Sequence, residues 1–174
     1  MVLLRSIATV GGFTLISRVL GFVRDILIAF VLGAGAGADV FFVAFKLPNL
    51  FRRLFAEGAF SMAFVPMFAG QVEGDGINAA KAFAIAAFSV LFWILLIFVV
   101  VIEIAMPLVM LGFAPGFIGD AAKFDLAVEL TRITFPYLLF ISLVSLMAGV
   151  LNSLGKFAAA AATPILLNIC LIGA

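Results

Sequence analysis

The run AFAIAAFSVLFWILLIFVVVI, Ala82 to Ile102, contains no charged residue, and it limits what this chain can fold into more than any other feature. An α-helix rises about 1.5 Å per residue, so a run of this length reaches across the roughly 30 Å hydrocarbon layer of a bilayer. Apolar character continues past Glu103 to Leu111. Ile133 to Leu154 is likewise uncharged, and Phe157 to Ala174 is apolar to the last residue. The whole chain of 174 residues is 67% hydrophobic and 11% charged, where soluble domains average about 25% charged. No soluble core of this size could bury so much apolar surface, so the bilayer is the solvent. Backbone polar groups in lipid have to be satisfied internally. The fold class predicted is therefore all-α, a polytopic helical membrane protein.

Two further segments are long enough to span but carry charge. Ser6 to Leu32 holds Arg18, Arg24 and Asp25, and Asp39 to Phe68 holds Lys46, Arg52, Arg53 and Glu57. Turns separate the apolar blocks: GAGAGAD at Gly33 to Asp39, QVEGDG at Gln71 to Gly76, FAPGFIGD at Phe113 to Asp120 and NSLGK at Asn152 to Lys156. About five transmembrane helices follow, at 6–32, 38–69, 79–111, 124–154 and 157–174. Arg5 before an apolar run imitates a signal peptide. No small-residue cleavage site closes that run before Arg18, and more spans follow, so the first helix is read as retained. The last helix has no polar anchor after it, which predicts a truncated chain. Lys and Arg in the short loops set orientation. A cytoplasmic N-terminus puts Arg5, Lys81 and Lys156 inside and Lys123 outside.

The charges within the spans carry the functional information. Each costs roughly 2.5–3.5 kcal/mol at a helix centre, so they must face protein, water or one another. Residues seven apart lie about 20° from alignment on a helix. Arg18 and Asp25 therefore share a face, with Arg24 beside them. In the second helix Asp39, Lys46 and Arg53 recur at seven-residue spacing, and Glu57 follows Arg53 by four. Asn49 lies at the edge of this stripe and Arg52 flanks it. Pro48 is expected to kink the helix after Leu47. One reading is that these charges pair and lock the bundle, as an Arg53–Glu57 pair at i,i+4 would. The sign balance opposes it. Arg18, Arg24, Lys46, Arg52 and Arg53 outnumber Asp25, Asp39 and Glu57. A cationic surplus in a membrane calls for water or an anionic ligand, hence a hydrated cavity, and guanidinium is the group best matched to phosphate. Gly21, between the two arginines, suits either a hinge or close helix packing through small residues. Glu103 and Pro107 mark a kink or a polar contact in the third helix. Glu129 and Arg132 are predicted to pair at i,i+3.

Other functions are excluded by composition. A net charge of +1 gives no field for nucleic acid. Histidine is absent and Cys170 stands alone, so no metal site and no disulfide framework is expected. There is no nucleophile–base pair, so an enzyme is not expected, nor a cofactor.

SRVLGFVRD at Ser17 to Asp25 and GAGAGADVFFVAFKLPNLFRRLFAEGAFSMAFVPMF at Gly33 to Phe68 closely resemble the N-terminal signature of the MurJ/MviN family. These are lipid II flippases of the multidrug/oligosaccharidyl-lipid/polysaccharide exporter superfamily. The resemblance covers the whole chain, with specific motifs in its first 70 residues. It implies fourteen helices in two lobes around a cationic cavity, with this chain forming about five helices of the first lobe. The implied partner is an undecaprenyl-pyrophosphate-linked peptidoglycan precursor, moved across the bacterial inner membrane by alternating access, with membrane lipids as the surroundings. The family's functional positions fall on Arg18, Arg24, Asp25, Asp39 and Arg52, and Arg53 and Glu57 belong to the same motif. The alternatives are a flippase for another polyprenyl-linked glycan and a helical scaffold that transports nothing.

Overall fold

The computed structural model describes the backbone of residues 2–33 and 35–173, and the side chains in that range other than 2–7, 36 and 56–61. Among these residues the chain is helical with no strand. The helices are α1 (Val2–Leu32), α2 (Ala36–Arg52), α3 (Ala59–Gly74), α4 (Ile77–Ile104), α5 (Met106–Phe113), α6 (Ala121–Thr134), α7 (Tyr137–Ser153) and α8 (Phe157–Gly173). A π turn, Arg53–Gly58, joins α2 to α3, and a 3-10 turn, Pro115–Phe117, precedes α6. α2 and α3 follow on as one rod, as do α4 and α5, and α6 and α7. The second rod runs to Gly74 and so absorbs the start of the turn predicted at Gln71. Ile77–Ile104 and Ala121–Ser153 are each long and apolar enough to cross a bilayer.

The prolines explain where the rods break. Proline has no N–H, so the carbonyl four residues earlier loses its helical donor. Pro107 frees the Glu103 carbonyl, and the α4–α5 rod is interrupted at Ala105. Arg132 Nε donates to that Glu103 carbonyl at 3.3 Å. The expected Glu129–Arg132 pair is not made, because Arg132 turns to Glu103 instead. Pro136 frees the Arg132 carbonyl, and α6 stops at Thr134. Shorter bonds, Leu138 N–H to Phe135 at 3.0 Å and Leu139 N–H to Pro136 at 3.1 Å, carry the chain into α7.

α2 stays one helix from Ala36 to Arg52 with Pro48 inside it. The carbonyl that Pro48 frees belongs to Ala44, and Thr134 Oγ1 donates to it at 3.0 Å. A hydroxyl from a neighbouring helix is a known way to satisfy backbone freed by an intramembrane proline. The departure from α geometry comes later, at the π turn. The four-residue spacing behind an Arg53–Glu57 pair assumes an α-helix, which the π turn replaces. The side chain of Glu57 itself lies outside the described residues.

The chain divides into two units. One comprises Met1–Ala34 and Met147–Ala174, where α1 packs along α8. α1 ends at Gly33, whose φ of +62° is a left-handed conformation that glycine adopts without strain. The turn before α8 is a Schellman motif: Gly155 has φ +73°, its N–H donates to Asn152, and Lys156 N–H donates to Leu151 at 2.8 Å.

The other unit is Gly35–Leu146, where α2 packs on α6 and α3 on α4. Val40, Ala44 and Leu47 of α2 and Ala127, Val128 and Thr131 of α6 are buried. Small residues such as Ala44 and Ala127 let two backbones approach closely in a membrane, where apolar burial alone gives helices little reason to associate. Phe51 meets Phe98 and Phe135 edge to face, with centroids 5.1 Å apart for Phe51–Phe98 and 5.8 Å for Phe51–Phe135. Asp120 caps α6 by accepting from Lys123 N–H at 3.1 Å.

Candidate functional site

The SRVLGFVRD segment occupies the second half of α1. Its helical spacing puts Arg18 and Asp25 along one side, and Asp25 is taken by its neighbour. Arg24 donates to Asp25 Oδ1 through Nε at 3.0 Å and Nη2 at 2.7 Å. Arg24 Nη1 donates to Asn168 Oδ1 on α8 at 2.9 Å. Asn168 in turn donates through Nδ2 to the Ser17 carbonyl at 2.9 Å and reaches Ser17 Oγ at 3.4 Å. One buried amide thus holds two points of α1. It does so over Gly21, where an added Cβ would lie 3.6 Å from Asn168 Nδ2. α1 continues through Gly21 as regular helix.

Arg18 has no acid. Among the described residues it makes no hydrogen bond or ion pair, and it lies on the wall of a pocket of about 380 Å³. Thr14, Ser17 and Arg18 of α1 form one side of that pocket, Asn152 of α7 and Phe157 and Pro164 of α8 the other. Pro164 leaves the Ala160 carbonyl, also on this wall, without its helical donor. The pocket therefore offers a full positive charge beside hydroxyl, amide and apolar groups. A negatively charged group with an apolar attachment matches that chemistry.

In the other unit Asp39 is spoken for. Lys123 Nζ meets Asp39 Oδ2 at 2.8 Å and lies 4.5 Å from the centre of the Phe117 ring. The Lys123 side chain is 20% exposed and that of Asp39 63%. Arg52 Nε donates to Asn49 Oδ1 at 3.2 Å, one turn earlier on α2. Lys46 and Arg53 are exposed, and among the described residues neither makes a hydrogen bond or ion pair. Asp25 is thus engaged by Arg24 and Asp39 by a lysine from α6. The cationic surplus read from the sequence grows, because Lys123 and not Arg18, Lys46 or Arg53 takes Asp39.

Comparison with known proteins identifies the family. The family model described as "Lipid II flippase MurJ" matches residues 28–174. The chain belongs to the MurJ family. It is 54% identical along its whole length to the probable lipid II flippase MurJ of Rhizobium tropici, of which it covers 33%. It is 48% identical to the lipid II flippase MurJ of Burkholderia cenocepacia, covering all of this chain and 34% of that protein. To the probable lipid II flippase MurJ of Vibrio cholerae it is 45% identical, over 98% of this chain and 34% of the relative. The chain therefore spans about one third of the length of the curated relatives it matches. Like them it is a membrane protein, and its apolar rods have the length that this requires.

Four residues central to this geometry are not marked as site residues by sequence spacing. Asn168 is the lone amide in the apolar helix FAAAAATPILLNICLIG. A polar side chain in such a segment is a standing sign of an interhelical contact. Thr134 and Arg132 sit just before Pro136, and both donate to carbonyls that prolines elsewhere have freed. In the sequence Lys123 stands out only as a loop charge that sets orientation.

Proposed function

We propose that this chain is the N-terminal part of a lipid II flippase, in which cationic side chains meet the pyrophosphate of the lipid-linked precursor. The observation that carries the proposal is Arg18, a guanidinium without an acid partner among the described residues, at a pocket between α1 and α8. An unpaired charge in a membrane helix is costly unless a ligand or water meets it, and a planar fork of donors suits a pyrophosphate. Arg24 keeps one N–H on each terminal nitrogen beyond its bonds to Asp25 and Asn168, so it can add to the same anion. Asp25 moderates its charge. Arg52, Lys46, Arg53, Asp39 and Glu57 of the second rod are proposed as further residues of the transport cycle, with Gly21 as the point where α1 bends. We place the protein in the bacterial inner membrane with its N-terminus in the cytoplasm, as part of the first lobe of a fourteen-helix transporter.

A scaffold held together by charge would pair its intramembrane charges. Arg18, Lys46 and Arg53 are without an acid among the described residues, which favours transport over that reading.

The test is made in cells that depend on this protein, expressed as it is encoded. Arg24→Ala and Arg18→Ala should accumulate in the membrane at wild-type level while lipid II builds up and cell-wall synthesis stops. Full support of growth by a well-expressed Arg18→Ala, Arg24→Ala double variant would remove both residues from the mechanism.

A further inference from the structure

We infer that Asn168 is a positioning residue for Arg24, fixing its guanidinium for the anion without cancelling its charge. This rests on the reading that Arg24 meets the pyrophosphate of lipid II. Arg24 and Asn168 lie on α1 and α8, 144 residues apart in sequence. Asn168 is 6% exposed, so water does not compete for its amide.

The chemistry of the amide explains why an asparagine suits this place. Its Nδ2 can only donate and its Oδ1 can only accept. The donor end is committed to the Ser17 carbonyl at 2.9 Å, which fixes the direction in which the acceptor end points. That acceptor meets Arg24 Nη1 at 2.9 Å. The amide orientation is therefore set by its two partners: turned the other way, an NH2 would face a guanidinium and an oxygen would face a carbonyl. Asp25 holds the opposite edge of the guanidinium, through Nε and Nη2. Arg24 is gripped from two sides, yet only one grip carries negative charge. A carboxylate at position 168 would give Arg24 a second counter-ion and leave nothing for a ligand.

Gly21 completes the arrangement. An added Cβ there would come within 3.6 Å of Nδ2 and 3.9 Å of Oδ1, so the amide lies directly over the glycine. A larger side chain at 21 would push it off both partners. The Asn168 amide bonds α1 at Ser17 and, about two turns further on, at Arg24, with the glycine between them.

The experiment measures the Kd for lipid II of the protein as encoded, purified into nanodiscs, with melting temperature recorded alongside. A hydrogen bond to a charged group is the stronger kind, so Asn168→Ala is expected to weaken lipid II binding by about tenfold. In an Arg24→Lys background, where the fork is gone but the charge remains, Asn168→Ala should change Kd by less than about twofold. Asn168→Ser, a small residue that helices in membranes tolerate, should behave as Asn168→Ala does. Equal loss in both backgrounds, or an unchanged Kd for Asn168→Ala, would overturn the positioning role. Failure of both variants to accumulate would also overturn it, by assigning Asn168 to holding α1 on α8. If Arg24→Ala itself binds lipid II as tightly as wild type, the failure lies in the proposed function and not in the role of Asn168.

Discussion

Thr134→Val is the substitution whose cost follows most directly from the backbone. Valine keeps the shape of threonine and removes only the hydroxyl. In the native protein that hydroxyl donates to the Ala44 carbonyl at 3.0 Å, which Pro48 leaves without a helical donor. Ala44 is 1% exposed, so no water replaces the bond. An orphaned buried acceptor costs about 1–3 kcal/mol, while side-chain bonds between membrane helices average about 0.6 kcal/mol. The hydroxyl also reaches the Thr131 carbonyl at 3.2 Å, so its single proton is shared. About 1 kcal/mol is therefore expected. Pro48→Ala restores an N–H four residues after Ala44 and supplies the missing donor from within α2. In that background Thr134→Val should cost close to nothing. Unfolding of the four proteins in mixed SDS micelles, followed by circular dichroism, gives the coupling. Equal cost of Thr134→Val with and without Pro48 would refute the idea that the threonine serves the proline.

Further outcomes follow from the same geometry. Gly21→Ala fits beside Asn168 at ordinary contact distance. It should retain lipid II affinity while slowing transport, because α1 bends less readily without glycine. A wild-type rate would leave Gly21 only as the seat of Asn168. The Asp39–Lys123 pair is mostly solvent-facing on the aspartate side, so its coupling should be below about 1 kcal/mol. Reversing both charges, with Asp39→Lys and Lys123→Asp, should recover the melting temperature lost by either single change, and additive losses would show that the two charges do not act as a pair.

The rods were legible because their signal is local. Uncharged runs of membrane length, punctuated by GAGAGAD and NSLGK, need no knowledge of tertiary contacts. The cationic surplus was legible for the same reason, since it is a count over two helices. What spacing along one helix cannot reveal is the partner on another. The donor that meets the carbonyl freed by Pro48 belongs to Thr134, 90 residues from Ala44. Asp39 looked like a member of the α2 stripe because Lys123 lies 84 residues away. Glu129 looked like the natural partner of Arg132 until a freed carbonyl at Glu103 competed for the guanidinium. The π turn was invisible for another reason: heptad arithmetic presumes α geometry and gives no warning where it stops.

The central claim is that α1 carries a positive charge reserved for an anionic ligand, and Arg18 states it most simply because no acid among the described residues pairs with it. The decisive measurement is the Kd for lipid II of wild type and Arg18→Ala in nanodiscs, each at low and high salt. Wild-type affinity should fall as salt rises. Arg18→Ala should bind about tenfold or more weakly at low salt, with a smaller dependence on salt and an unchanged melting temperature. Equal affinity of the two proteins, with equal salt dependence, would contradict the claim.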